Sequence, residues 1–166
     1  MNIVIYGCDN SGKTTLSMQL VEYLNEDIDF SAQALHSLGP NKTKEEMCRF
    51  MESNLLPKGS THTNIFDRFP IIEEEVYGNL LRGKSKFDDL DYIKNIFDKV
   101  DIFIFCNPGI KTILNWGDRE QMDGVKDNAM DIINAYNKFT FKLINMGYNV
   151  KEYNFKCDNY KDLVWE

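Results

Sequence analysis

Eight residues near the start of the chain, Gly7-Cys8-Asp9-Asn10-Ser11-Gly12-Lys13-Thr14, carry the clearest chemistry in the sequence. Glycines at both ends of such a turn let successive backbone N–H groups curl around phosphate oxygens. A helix beginning directly behind them adds the positive end of its dipole. Lys13 can neutralise β- and γ-phosphates, and the Thr14 hydroxyl can ligate Mg²⁺. The pattern therefore asks for a nucleoside triphosphate, with Asn10, Ser11, Gly12, Lys13, Thr14 and Thr15 as its binding set. A second pair, Asp67-Arg68, closes an apolar run. Its carboxylate can hold Mg²⁺ or the metal's water, so Thr14 and Asp67 are the candidate metal residues. Its guanidinium can grip another phosphate in a bidentate fork.

These groups need elements to position them. The apolar run "NIVIY" at 2–6 predicts a buried parallel strand that stops at Gly7. Leu16, Leu20, Val21 and Leu24 recur at helical spacing behind the turn. A second strand is expected at 32–38 and a helix after it, with Thr43 as N-cap and Glu46 completing a capping box. The third strand, 63–67, delivers Asp67-Arg68. Helices are expected at 70–81 and 88–99, a fourth strand at 101–107, and a long helix at 128–146 closed by Gly147. "YNVKEYNF" gives a fifth strand, and "YKDLVWE" a terminal half-helix. Alternating strands and helices call for a parallel sheet covered on both faces, in one α/β domain over 1–166. The run Glu73-Glu74-Glu75 reads as a solvated helix face.

Composition narrows the partners. A chain of 166 residues with 43% hydrophobic and 27% charged residues suits one globular core. A formal net charge of -7 argues against a general duplex nucleic-acid binder. Cys8, Cys48, Cys106 and Cys157 are scattered without metal-ligand spacing. "MNIVIYG" has no basic start and runs straight into the turn, and no apolar run is long enough to span a bilayer. A cytoplasmic protein that binds small-molecule nucleotides, with neither nucleic acid nor membrane as partner, is the expectation.

Taken in order, "GCDNSGKTT", "DRFPIIEEEVYG", "VDIFIFCNP" and the charged stretch "WGDREQMDG" resemble the thymidylate-kinase-like nucleoside monophosphate kinases, phage-type deoxynucleotide kinases among them, over nearly the whole chain. The resemblance implies a three-layer P-loop NTPase fold, a five-stranded parallel sheet flanked by helices with a short lid at about 115–125. It implies phosphoryl transfer from ATP·Mg²⁺ to a (deoxy)nucleoside monophosphate such as dTMP, and a possible homodimer. Asp9 stands where the family contacts the acceptor sugar. Arg68 stands where it grips the acceptor phosphate. Arg49 and Phe50 fall where it binds acceptor phosphate and base, and Phe69 and Tyr77 could line a base pocket. Some members carry an arginine in the turn where this chain has Asn10; Arg119, in the lid, is assigned that role. Catalysis would then rest on Lys13, Arg68 and Arg119, with Arg82 a weaker candidate.

Departures at the base-reading positions leave the acceptor open. Tyr77 replaces a usual glutamine, Ile72 a common serine, and "HSLGPNKT" replaces "REPGGT"-like text. A nucleoside kinase using Asp67 as general base on a sugar hydroxyl stays in play. So does a P-loop ATPase or switch, although a GTPase's "NKxD" is missing from "CNPGIKT" at the fourth strand's exit.

Overall fold

The computed structural model describes residues 1–26, 30–36, 39, 41–115 and 124–164. Five strands, β1 (Asn2–Tyr6), β2 (Ser31–His36), β3 (His62–Asp67), β4 (Ile102–Cys106) and β5 (Val150–Tyr153), form one sheet in the order β2-β3-β1-β4-β5. Every neighbouring pair is parallel. Helices cover both faces, as the alternating text predicts. The α/β fold with a five-stranded parallel sheet stands as expected.

Period-two alternation along the strands splits the core. Ile3, Ile5, Ile65, Ile102 and Ile104 turn to one face, where α1 (Lys13–Leu24) brings Leu16, Leu20 and Leu24. Val4, Tyr6, Phe66, Phe103 and Phe105 turn to the other. That second layer holds α2 (Lys44–Asn54), the helical stretch 70–82, α5 (Leu90–Phe97) and α7 (Ala129–Asn145). Both faces of β1 and β4 are fully buried. The strand ends at Gly7, Asp67 and Asn107 therefore meet along one carboxyl edge, where open α/β sheets bind ligands.

Local signals account for most element boundaries. Thr43 caps α2 by accepting from the Glu46 amide at 3.1 Å, and Glu46 answers by accepting from the Thr43 amide at 2.8 Å. Asp89 caps α5 through the Tyr92 amide. Gly147, at φ 83, follows α7 in the left-handed conformation. Three features were not expected. The stretch 70–82 is not one regular helix: α3 (Pro70–Glu73) passes into a π-helical turn (Glu74–Gly78) before α4 (Asn79–Arg82). A short helix, α6 (Ile110–Ile113), follows β4, and the terminal half-helix is a 3-10 turn, Tyr160–Leu163.

Candidate active site

The phosphate turn lies between β1 and α1 and is as tightly built as its glycines suggest. Gly7 has φ 140, and a Cβ there would meet the Cys106 carbonyl oxygen of β4 at 2.6 Å. Gly12 has φ 88 and caps α1 without any side-chain bond, so the first N–H groups of the helix are not used up by a cap. Lys13 is buried, with Nζ donating to the Cys8 carbonyl at 2.6 Å and standing 3.9 Å from Asp9. Thr14 and Thr15 are exposed at the start of α1. Asn10, at φ 64, donates from Nδ2 toward the carbonyls of Ile113 (3.5 Å) and Asn115 (3.4 Å), tying the turn to the foot of the expected lid. Burial pushes the Cys8 and Cys106 thiols up to about 12, which keeps both protonated and inert.

Asp67 and Thr14, the two candidate metal residues, lie side by side. Thr14 Oγ1 donates to Asp67 Oδ2 at 2.7 Å, and His36 Nδ1 lies 3.2 Å from the same oxygen. Asp67 Oδ1 and Ser11 Oγ are buried with no hydrogen-bond partner among the described residues. Orphaned oxygens of this kind beside a glycine turn fit an Mg²⁺-bound triphosphate. Among the described residues no group of three or more His, Cys, Asp or Glu side chains could hold a metal. An ion here would share Thr14 and Asp67 with phosphate oxygens and water, the usual manner of Mg²⁺.

Arg68 sits in the left-handed conformation at φ 72, its amide bonded to the Ile5 carbonyl at 3.0 Å. That twist aims its guanidinium at Asp9 Oδ1 (2.8 Å) and toward Glu73 Oε2 (3.9 Å). Glu73 in turn accepts from the Tyr136 hydroxyl at 2.9 Å. Burial raises the Glu73 carboxyl above its ordinary value, against the opposing pull of Arg68, Lys13 and Tyr136. Burial also works against the Arg68 charge, but Glu73 and Asp9 outweigh it and hold the guanidinium protonated.

A cavity of about 240 Å³ opens between these groups, lined by Thr14, His36, Asp67, Arg68 and Glu73. Met47, Glu74, Tyr77 and Arg82 line it as well. Here the expectation of a solvated glutamate face fails. The π-helical turn rotates Glu74 inward until it is 2% exposed, accepting from Arg82 Nη2 at 2.6 Å and from the Lys86 amide at 3.2 Å. Glu73 and Glu75 are half-buried.

The other expected site residues divide. Tyr77 lines the cavity, packed edge-on against Tyr136, with its hydroxyl buried and unpartnered among the described residues. Phe69 is wholly buried in the core, edge-on to Phe66 at 5.2 Å, and is not in the lining. Phe50 packs edge-on to Phe66 and Arg49 is exposed; from α2 it is Met47 that reaches the cavity. Arg119 and most of the lid lie outside the described residues. His36, Glu73 and Glu74 were not expected. His36 was findable: β2 and β3 end level, with His36 in register with Asp67.

No family model matches the chain, and no curated protein does. Solved structures do. The chain resembles the YorR protein of Bacillus subtilis, in complex with phosphorylated GDP, at TM-score 0.71 and 14% identity, over 97% of this chain and 90% of that one. It resembles a deoxyadenosine kinase from M. mycoides at TM-score 0.57 and 15% identity, covering 98% and 94%. It resembles the thymidylate kinase of Ehrlichia chaffeensis at TM-score 0.55 and 17% identity, covering 98% and 93%. The fold is thymidylate-kinase-like, a P-loop α/β fold of the kind found in nucleotide kinases.

Proposed function

We propose that the chain is an ATP-dependent (deoxy)nucleoside monophosphate kinase, with 1–166 acting as one P-loop domain and a lid at about 115–125. The observation that carries this reading is the placement of Arg68. Its guanidinium, clamped by Asp9 and Glu73, lines a cavity that begins at Thr14 and Asp67. A phosphate-gripping cation thus adjoins the triphosphate turn, so an acceptor phosphate and a γ-phosphate would be held side by side.

The chemistry needs little beyond that. An oxygen of the acceptor phosphate is already anionic, attacks the γ-phosphorus, and the bond to the β-phosphate's bridging oxygen breaks as ADP leaves. Positioning and charge neutralisation then supply most of the acceleration. Arg68 orients the acceptor and Lys13 stabilises the transferring group. Asp9 holds Arg68 and is placed to take a sugar hydroxyl. Mg²⁺, held by Thr14 and Asp67, would offset charge on the β- and γ-phosphates. Arg119 is proposed as the second transition-state cation. The fold shared with thymidylate and deoxyadenosine kinases supports nucleotide phosphoryl transfer in general.

A nucleoside kinase is the second reading, because a sugar hydroxyl would need a carboxylate base and Asp67 is at the right strand end. The engagement of Asp67 Oδ2 by both Thr14 and His36 favours a metal-side role instead. ADP release with ATP·Mg²⁺ and a panel of monophosphates, beside the matching nucleosides, tests both. Turnover with monophosphates and not nucleosides is expected; turnover with nucleosides alone would give Asp67 the base role. Hydrolysis of ATP without any acceptor would point to an ATPase or switch.

A further inference from the structure

The cavity lining includes an arginine that the phosphate chemistry does not use. Arg82, the last residue of α4, folds back two helical turns along 74–82 to reach Glu74. Glu74, Gly78 and Arg82 share one face of the helix, four residues apart. Gly78 has an ordinary helical φ of -60, so its lack of a side chain is not a backbone need. It is a matter of room: a Cβ there would come 2.9 Å from Glu74 Oε2, 3.1 Å from Arg82 Nη2 and 3.1 Å from the Lys84 carbonyl. The glycine is the window through which the arginine meets its anchor.

The anchor is firm. Glu74 is 2% exposed, with Oε1 held by Arg82 and approached by Lys86 Nζ at 3.4 Å, and Oε2 by the Lys86 amide. Two cations, Arg82 and Lys86, face this one carboxylate, and of the two Arg82 lines the cavity. The Arg82 side chain is 36% exposed and lines the cavity with Met47 and Tyr77. Only its Nη2 is engaged; the rest of the planar fork has no protein partner among the described residues.

We infer that Arg82 reads the acceptor base, and that the base it selects is a 6-oxopurine, guanine. This rests on the monophosphate-kinase reading above and names its substrate class. A rigid guanidinium fork wants two adjacent acceptors, and guanine's O6 and N7 supply them in a bidentate match. Adenine pairs its N7 acceptor with an N6 amino donor, which meets the arginine as donor against donor. Thymine holds its O4 and O2 acceptors apart, with the N3–H donor between them. Cytosine also sets two acceptors, N3 and O2, side by side, so dCMP is the competing ligand that the order of affinities must separate from dGMP. The Met47 and Tyr77 side chains give the ring's faces apolar walls.

Equilibrium binding tests this without requiring turnover, using dGMP, dIMP, 7-deaza-dGMP, dAMP, dCMP and dTMP with wild type and Arg82→Lys. The lysine variant keeps a charge for Glu74 and loses the fork. The 7-deaza analogue, which lacks only N7, probes the same contact without touching the protein. A good bidentate contact discriminates by roughly 5- to 150-fold. We expect dGMP and dIMP to bind alike and at least tenfold tighter than dAMP. We expect 7-deaza-dGMP to lose about fivefold or more, and Arg82→Lys to erase most of the gap between dGMP and dAMP. Equal affinity for dGMP and either dAMP or dCMP would overturn the inference, as would a 7-deaza analogue that binds like dGMP. A uniform weakening of all six ligands in Arg82→Lys would move the guanidinium onto the phosphate and also overturn it. ADP release without preference for a 6-oxo base sinks this inference alone; the predicted binding order with no ADP release sinks the kinase reading instead. No binding by any monophosphate sinks both.

Discussion

At the residue scale, the turn was legible because its chemistry is contiguous. Gly7, Gly12, Lys13 and Thr14 act through backbone and side chains within eight positions, and pattern alone locates them. Lys13→Ala is expected to lower the rate of ADP release by about 10²-fold or more, the usual cost of a preorganised transition-state contact. Arg68 shows what pattern does not reveal: its left-handed backbone. An L side chain there costs about 1–2 kcal/mol. Arg68→Gly and Arg68→Ala both lose the guanidinium, but only alanine keeps a Cβ, so urea unfolding should find the glycine variant more stable by about 1 kcal/mol. Both should raise the acceptor KM and leave the ATP KM nearly unchanged. Glu73 gives a pH test. Burial lifts its carboxyl above the ordinary value, so the folded state holds its proton longer than the unfolded chain. Stability should therefore fall as pH rises from the ordinary glutamate range through the raised one. Glu73→Gln should flatten that limb of a pH series of urea melts; an unchanged slope would assign the fall elsewhere.

At the scale of elements, strands and long helices were readable from periodicity, and the capping box at Thr43 and Glu46 fixed the start of α2. The stretch 70–82 was not readable in the same way. Three consecutive glutamates look like a solvated face under regular helical geometry. A π-helical turn adds a residue to the local repeat and rotates Glu74 into the cavity, a shift that no residue type announces. The partners that make it tolerable, Arg82 and Lys86, lie eight and twelve residues on, beyond the reach of a capping or i,i+4 rule. Gly78 carries the only local hint. Gly78→Ala should cost about 1–3 kcal/mol, an overpacking penalty rather than a backbone one, because the new methyl must displace a buried, charge-paired carboxylate. A thermal melt within a few tenths of a kcal/mol of wild type would mean that the Glu74–Arg82 pair moves aside freely.

At the scale of the whole molecule, topology was legible because a parallel sheet leaves few choices. Level strand ends bring Gly7, His36 and Asp67 to one edge although 60 positions separate the first from the last. What remained hidden was which side chains share the cavity, since that depends on rotations of helices over the sheet. Phe69 faces the core and Met47 the cavity for this reason, with nothing in their types to tell them apart. The arrangement has a thermodynamic consequence for the intact protein. On the proposed kinase reading, two ligand sites would meet across Thr14, Asp67 and Arg68, which line one cavity. A ligand that binds only the folded chain stabilises it by about 2.7 kcal/mol at a hundred times its Kd. ADP with Mg²⁺ and a nucleoside monophosphate should therefore each raise the unfolding midpoint, and together they should raise it at least as much as the sum. Competing ligands would give no more than the larger single effect. That outcome, in a melt with each ligand alone and then both, would mean one nucleotide site instead of a donor and an acceptor site.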